Sequence, residues 1–277
     1  MQQIKNAVRR ATIKTLRIFN PGDISIRHHW TGDRLRLHTF HHKGYWWHGK
    51  KRELASMSCC AGLISKGQTV VECGGHIGYL SMFFASLVGD SGSVIVFEPA
   101  LSNLAYLRIN AQQRESIRIE ELAVGPSECV ANMYVDNFTG QNNSLLANYS
   151  NVEQNSLSAG IEIQTEATRV NVVDLDGYCR RHNVLPDFVK MDIEGYEFEA
   201  LKGMTSLLAD VRPLLMIEVT EQSGQVYELL TQAGYKGYSE ERNRIADIDS
   251  MPRGNSFWFH PDHHATQLRW MESQVAA

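Results

Sequence analysis

A short apolar run that ends in an acid and breaks into glycines constrains this chain more than any other feature. Val70, Val71, Glu72 and Cys73 lead into Gly74-Gly75-His76-Ile77-Gly78, and Val94-Ile95-Val96-Phe97 follows with its own acid, Glu98, 20 residues beyond Gly78. Buried strand, glycine turn, helix and a second strand ending in a carboxylate make the half-fold that holds an adenosine ligand on a parallel sheet. Gly74, Gly75 and Gly78 lack a Cβ, so the backbone can turn sharply there and let a ligand approach, while the following helix offers N–H groups without intrahelical partners. Glu98 falls where its carboxylate would accept both hydroxyls of a ribose.

What the turn lacks separates the adenosine ligands. The dinucleotide fingerprint wants a glycine two before Gly75, so that a pyrophosphate can approach, and position 73 is a cysteine. Glu72 at the strand tip is poorly placed for a pyrophosphate and well placed for an ammonium or a sulfonium. S-adenosylmethionine is cationic at that end, whereas NAD is anionic.

The residues from Glu72 to Tyr79, together with Phe97-Glu98-Pro99, Ala123-Val124-Gly125, Asp174-Leu175-Asp176 and the run Val189 to Glu197, resemble the FkbM family of S-adenosylmethionine-dependent methyltransferases. The resemblance runs from about Tyr45 to the C-terminal strand. It implies a class I, Rossmann-like methyltransferase in which Glu72, Gly74, Gly75, His76, Gly78, Tyr79, Glu98, Pro99, Asn103, Ala123, Val124, Asn143, Ser144 and Asp192 line the cofactor site. Ala123 falls where the family places backbone contacts to the adenine. Two positions depart from the family pattern: Glu72 replaces an aspartate, and Gly74-Gly75-His76 replaces a Gly-Ala-Asn run.

Composition agrees with one enzyme domain. A chain of 277 residues fits a doubly wound α/β sheet with an N-terminal extension, and a net charge of −4 gives no global attraction to nucleic acid. No run of 18 apolar residues is present to span a membrane. Five cysteines without a Cys-x-x-Cys spacing read as reduced thiols of a cytoplasmic protein, not as a disulfide framework or zinc site.

Residues 1–53 read as an extension. Lys5, Arg9, Arg10, Lys14 and Arg17 interleave with apolar residues and no acid precedes Asp23, a basic amphipathic pattern that would cap the domain or lie on a membrane surface through residues 1–20. Ile24 to Arg27 and Arg34 to Phe40 alternate as the strands of a hairpin. The stretch His41 to Lys51, rich in histidine and aromatic rings, reads as extended and either lines an acceptor pocket, with His48 as its best single candidate, or simply packs the extension onto the domain.

The methyltransferase domain is expected over 54–262, with the final residues, 263–277, as a polar tail. Ile117 to Val124 reads as one strand. Between 126 and 186 the strand–helix rhythm breaks into Val130 to Val135, a polar loop from Asn137 to Leu146, and Ile161 to Val172, an insertion of the kind that forms lids.

A second acidic cluster completes the reading. The buried strand Phe188 to Met191 ends in Asp192, Glu194 follows two residues on, and the strand Leu214 to Ile217 ends in Glu218, all at the carboxyl edge of the sheet. Methyl transfer is an in-line displacement, so alignment and a base for the acceptor proton are what a protein supplies. Asp192 is expected to be that base or to orient the acceptor, with Glu194 and Glu218 in support. A divalent metal on the same oxygens is the rival mechanism, and spacing does not separate the two; no metal site is predicted.

The expected fold is therefore α/β: a doubly wound Rossmann-like sheet, mostly parallel, with an antiparallel last strand. The expected activity is S-adenosylmethionine-dependent methylation of a hydroxyl on a sugar or other small molecule, the oxygen specificity coming from the resemblance alone. The alternatives are an NAD-dependent oxidoreductase and a non-catalytic adenosine-binding module. Self-association as a homo-oligomer stays open, and no nucleic-acid partner is expected.

Overall fold

The computed structural model describes residues 20–136, 140–147, 149–150 and 165–273. The basic segment at 1–19, the start of the polar loop at 137–139 and the stretch 151–164, which includes Ile161, lie outside the described residues.

Alternating apolar residues form the N-terminal hairpin. Strands β1 (Asp23–Arg27) and β2 (Arg34–His38) pair antiparallel, and in β2 Leu35 and Leu37 are buried while Arg34 and Arg36 face out. The hairpin is fixed to the domain through its backbone. Asn110 accepts from the Arg36 N–H at 2.7 Å and donates to the carbonyls of Arg36 at 3.0 Å and Ile77 at 2.7 Å, which joins hairpin and glycine turn.

The aromatic stretch is not extended. Helix α1 (Lys43–His48) forms there, with the His42 ring buried before it and accepting from the His38 N–H. Helix α2 (Leu54–Leu63) then leads into the central sheet.

The sheet is built from β3 (Thr69–Cys73), β4 (Ser93–Phe97), β5 (Ile117–Glu120), β9 (Phe188–Met191), β10 (Leu214–Glu218), β11 (Lys236–Ser239), β12 (Arg244–Ile245) and β13 (Asn255–Phe259). Their spatial order is β12-β11-β13-β10-β9-β3-β4-β5. The five strands from β10 to β5 run parallel, and β13 inserts antiparallel between β10 and β11. Helices α3 (Tyr79–Val88), α4 (Leu101–Ala111), α5 (Leu175–His182), α6 (Glu197–Lys202) and α7 (Ser223–Gln232) connect these strands. Continuous burial of β3, β4 and β9 follows from helices on both faces. Val70, Val94, Val96, Phe188 and Met216 pack into one core layer, and Val71, Ile95, Phe97, Val189 and Ile217 into the other.

Two readings of the sequence are corrected. Ile117 to Val124 is two strands: after Glu120 the chain leaves the main sheet, and β6 (Ala123–Val124) pairs with β8 (Thr165–Val173), itself antiparallel to β7 (Cys129–Asp136), in a three-stranded sheet. The C-terminal residues are not only a polar tail. Ala265–Ser273 form helix α8, where Leu268 and Met271, three apart on one face, are buried. Trp270 lies over Gly62, where a Cβ would sit 2.1 Å from the indole.

Candidate functional site

A cavity of about 290 Å³ opens at the carboxyl ends of β3, β4, β9 and β10, where open α/β sheets bind ligands. The glycine turn after β3 forms one wall. Gly74 has φ +85°, and a Cβ there would sit 2.0 Å from the Asp192 carbonyl oxygen; a Cβ on Gly75 would meet Val96 at 2.2 Å. Both N–H groups donate to the Phe97 carbonyl, at 2.9 and 3.2 Å. These glycines therefore serve close packing of β3, β4 and β9 at the cavity edge, and their amides are not turned to a ligand.

Glu98 at the tip of β4 is buried and held in place. One carboxylate oxygen accepts the His76 N–H at 2.7 Å, and the other accepts the Ala100 N–H at 2.9 Å and Asn103 at 3.4 Å. Burial pushes its pKa up to about 7 against the downward pull of those hydrogen bonds. Oε1 has both acceptor sites taken and Oε2 keeps one, so the group is oriented and still able to receive a hydroxyl from the cavity. Glu72 at the tip of β3 accepts from the Ser81 hydroxyl at 2.5 Å, and burial raises it to about 7 as well, opposed by the nearby Lys190 cation.

The acids at the tips of β9 and β10 sense one another. Lys190, buried in β9, donates to the Gly74 carbonyl at 2.9 Å and pairs with Asp192 at 3.3 Å. The Asp192 charge, followed by burial, pushes Glu218 up to about 8. Glu194 has φ +56°; its carboxylate accepts from Tyr149 at 2.5 Å and its carbonyl from Ser144 at 2.6 Å, and burial with the Asp192 charge raises it well above the carboxylate range. Among the described residues, no three His, Cys, Asp or Glu side chains are disposed to hold a metal ion.

Of the residues singled out in the sequence, Glu72, Gly74, Gly75, His76, Tyr79, Glu98, Pro99, Asn103, Ala123, Val124, Asn143, Asp192, Glu194 and Glu218 line this cavity. Three do not. His48 is exposed at the end of α1, because helix formation turns it away while Tyr45, one turn earlier, is buried against the glycine turn. Gly78 caps α3 at φ +86° with Leu107 against it, and Ser144 is buried behind the wall, supporting Glu194. The sequence reading missed Arg52, Glu53, Met216 and Asn255 in the lining, and gave Lys190 no role. Arg52 and Glu53 precede an ordinary helix in a basic stretch, where no spacing distinguishes them from solvated charges.

Comparison with known proteins bears on this site. The sequence model of the methyltransferase FkbM domain matches residues 72–236, more than half of the chain. No curated protein matches significantly in sequence. Among solved structures, a methyltransferase FkbM from Methylobacillus flagellatus KT is 19% identical with a TM-score of 0.45; the similarity covers 69% of this chain and 43% of that one. Fibrillarin from Aeropyrum pernix, solved with natively bound S-adenosyl-L-methionine, is 12% identical with a TM-score of 0.40, covering 74% of this chain and 72% of its own. On the extent of the domain match, the chain belongs to the FkbM methyltransferase family.

Proposed function

We propose that this protein transfers a methyl group from S-adenosylmethionine to a hydroxyl oxygen of a sugar or other small molecule. The observation that carries the reading is the charge of the cavity wall. Glu53, Glu72, Glu98, Asp192, Glu194 and Glu218 line it, against the permanent cations Arg52 and Lys190, and Lys190 is already committed to Asp192 and the Gly74 carbonyl. Several of these acids hold protons near neutrality when the cavity is empty and ionise when a cation enters, so the wall favours a ligand bearing a sulfonium and an ammonium and gives a pyrophosphate no matching charge. The donor set thus fits S-adenosylmethionine, with Glu98 toward the ribose and Glu72 toward the ammonium.

Bound there, the cofactor supplies an electrophilic methyl group. The chain supplies position and proton transfer. Asp192, fixed by Lys190, and Glu218 face the same space from adjacent strand tips and are placed to orient an acceptor hydroxyl and take its proton. A carboxylate whose pKa is near 8 is suited to a base working close to neutrality. The oxygen specificity rests on family resemblance, and four buried thiols among five free cysteines support a reducing, cytoplasmic setting. Among the described residues, no helix is long and apolar enough to cross a membrane.

Calorimetric titration with S-adenosylhomocysteine and, separately, with NAD tests the reading. Micromolar binding of the former alone is expected; binding of NAD alone would return the site to the oxidoreductase class.

A further inference from the structure

Of the two cations that line the cavity among the described residues, Lys190 is held closely by Asp192, whereas Arg52 has only a long ion pair with Glu53. Its guanidinium stacks over the Tyr45 ring at 4.3 Å, its nearest acid, Glu53, stands 3.8 Å away, beyond hydrogen-bond distance, and its buried Nε–H finds no acceptor. Gly44 makes room for it: a Cβ there would lie 2.7 Å from a guanidinium nitrogen. Tyr45 is tied in turn to the glycine turn, its hydroxyl 2.9 Å from His76 Nδ1 and the two rings stacked. Arg52 is thereby held in the cavity wall beside Tyr45, which is itself tied to His76 of the glycine turn.

We infer that Arg52 anchors the α-carboxylate of the amino-acid end of the cofactor, an inference that rests on the use of S-adenosylmethionine proposed above. A zwitterion needs both signs of charge within its own length. Glu72 answers the ammonium; the carboxylate would enter a wall of six acids and needs a cation. Of the two lining cations among the described residues, Lys190 is paired with Asp192 at 3.3 Å, while Arg52 stands 3.8 Å from Glu53. A guanidinium offers a planar fork of donors that matches a carboxylate, and stacking on Tyr45 holds that fork in one orientation before the ligand arrives.

The test compares S-adenosylmethionine with its decarboxylated form, which lacks only the carboxylate, by calorimetry on the wild type and on Arg52→Met. The wild type is expected to prefer the intact ligand by about ten- to a hundredfold, and Arg52→Met to erase that preference while binding the decarboxylated ligand as the wild type does. Arg52→Lys, which keeps the charge and loses the fork, should fall between, and carries the comparison if Arg52→Met does not fold. A preference that survives in the variants, or is absent from the wild type, would overturn the inference. Failure of the wild type to bind either ligand would instead remove the cofactor assignment beneath it.

Discussion

Glu98 has two tasks at the tip of β4, and substitution separates them. It closes the glycine turn by accepting the His76 and Ala100 N–H groups, and its one remaining lone pair, on Oε2, is left for the cavity. Glu98→Ala should weaken S-adenosylhomocysteine binding about ten- to a hundredfold and, because two backbone donors lose their acceptor, lower stability by about 1–3 kcal/mol. Unchanged affinity in titration would take Glu98 out of the ribose site. Asp192 makes a different prediction, since its charge is the first cause of the raised pKa of Glu218. Asp192→Asn should leave cofactor affinity nearly intact, cut turnover by about 10²–10⁴, and lower the Glu218 pKa, moving the acid limb of any residual pH–rate profile downward. Retained turnover with an unmoved limb would sink the role of this pair.

At the scale of elements, the loop between β9 and α6 decides where the second acidic cluster points. Glu194 and Gly195 both have positive φ, and Glu197, fully buried, holds them by accepting the N–H groups of Ile193 at 3.1 Å and Gly195 at 3.0 Å. A two-residue spacing in an extended chain would have put Asp192 and Glu194 on one side; the actual turn brings both to the cavity by another route. Glu197→Ala should therefore slow turnover well beyond its effect on S-adenosylhomocysteine affinity, and an equal loss in both would show a general collapse of the site instead. Much of this architecture was legible beforehand. The short runs at 70–73, 94–97 and 188–191, apolar but for Glu72 and Lys190, specify parallel strands buried on both faces, and the glycines and terminal acids place the site at their ends. What was not legible depends on contacts distant in sequence. The β5–β6 break is set by pairing with β8 some 50 residues on, and α8 by packing of Trp270 on Gly62; the place of Arg52 depends instead on a local turn of helix that stacks it on Tyr45. His48 was misjudged because a helix, not an extended chain, carries it.

Across the whole molecule, the sheet concentrates acids at one edge of a protein whose overall charge is only −4, and this makes folding and binding respond oppositely to pH. Glu72 and Glu98 titrate near 7 and Glu218 near 8 in the folded protein, above the ordinary value of 4.5. Between about pH 4.5 and 8 these acids hold more protons in the folded state than in the unfolded one, so their contribution to stability falls as pH rises. The buried His28, His42 and His264, lowered from 6.5, oppose this only below about pH 6.5, so the decline shows above that. A cation in the cavity reverses the preference, because it favours the ionised acids. S-adenosylmethionine and S-adenosylhomocysteine share the ammonium and differ by the sulfonium charge, so their affinity ratio isolates the interaction of these acids with the sulfonium. That ratio should shift toward S-adenosylmethionine between pH 6 and 8.5 by about fivefold, the equivalent of about 1 kcal/mol for a screened charge pair, while the melting temperature of the free protein declines over the upper part of that range. A ratio flat with pH would mean that the acids face the acceptor alone and that the sulfonium lies elsewhere.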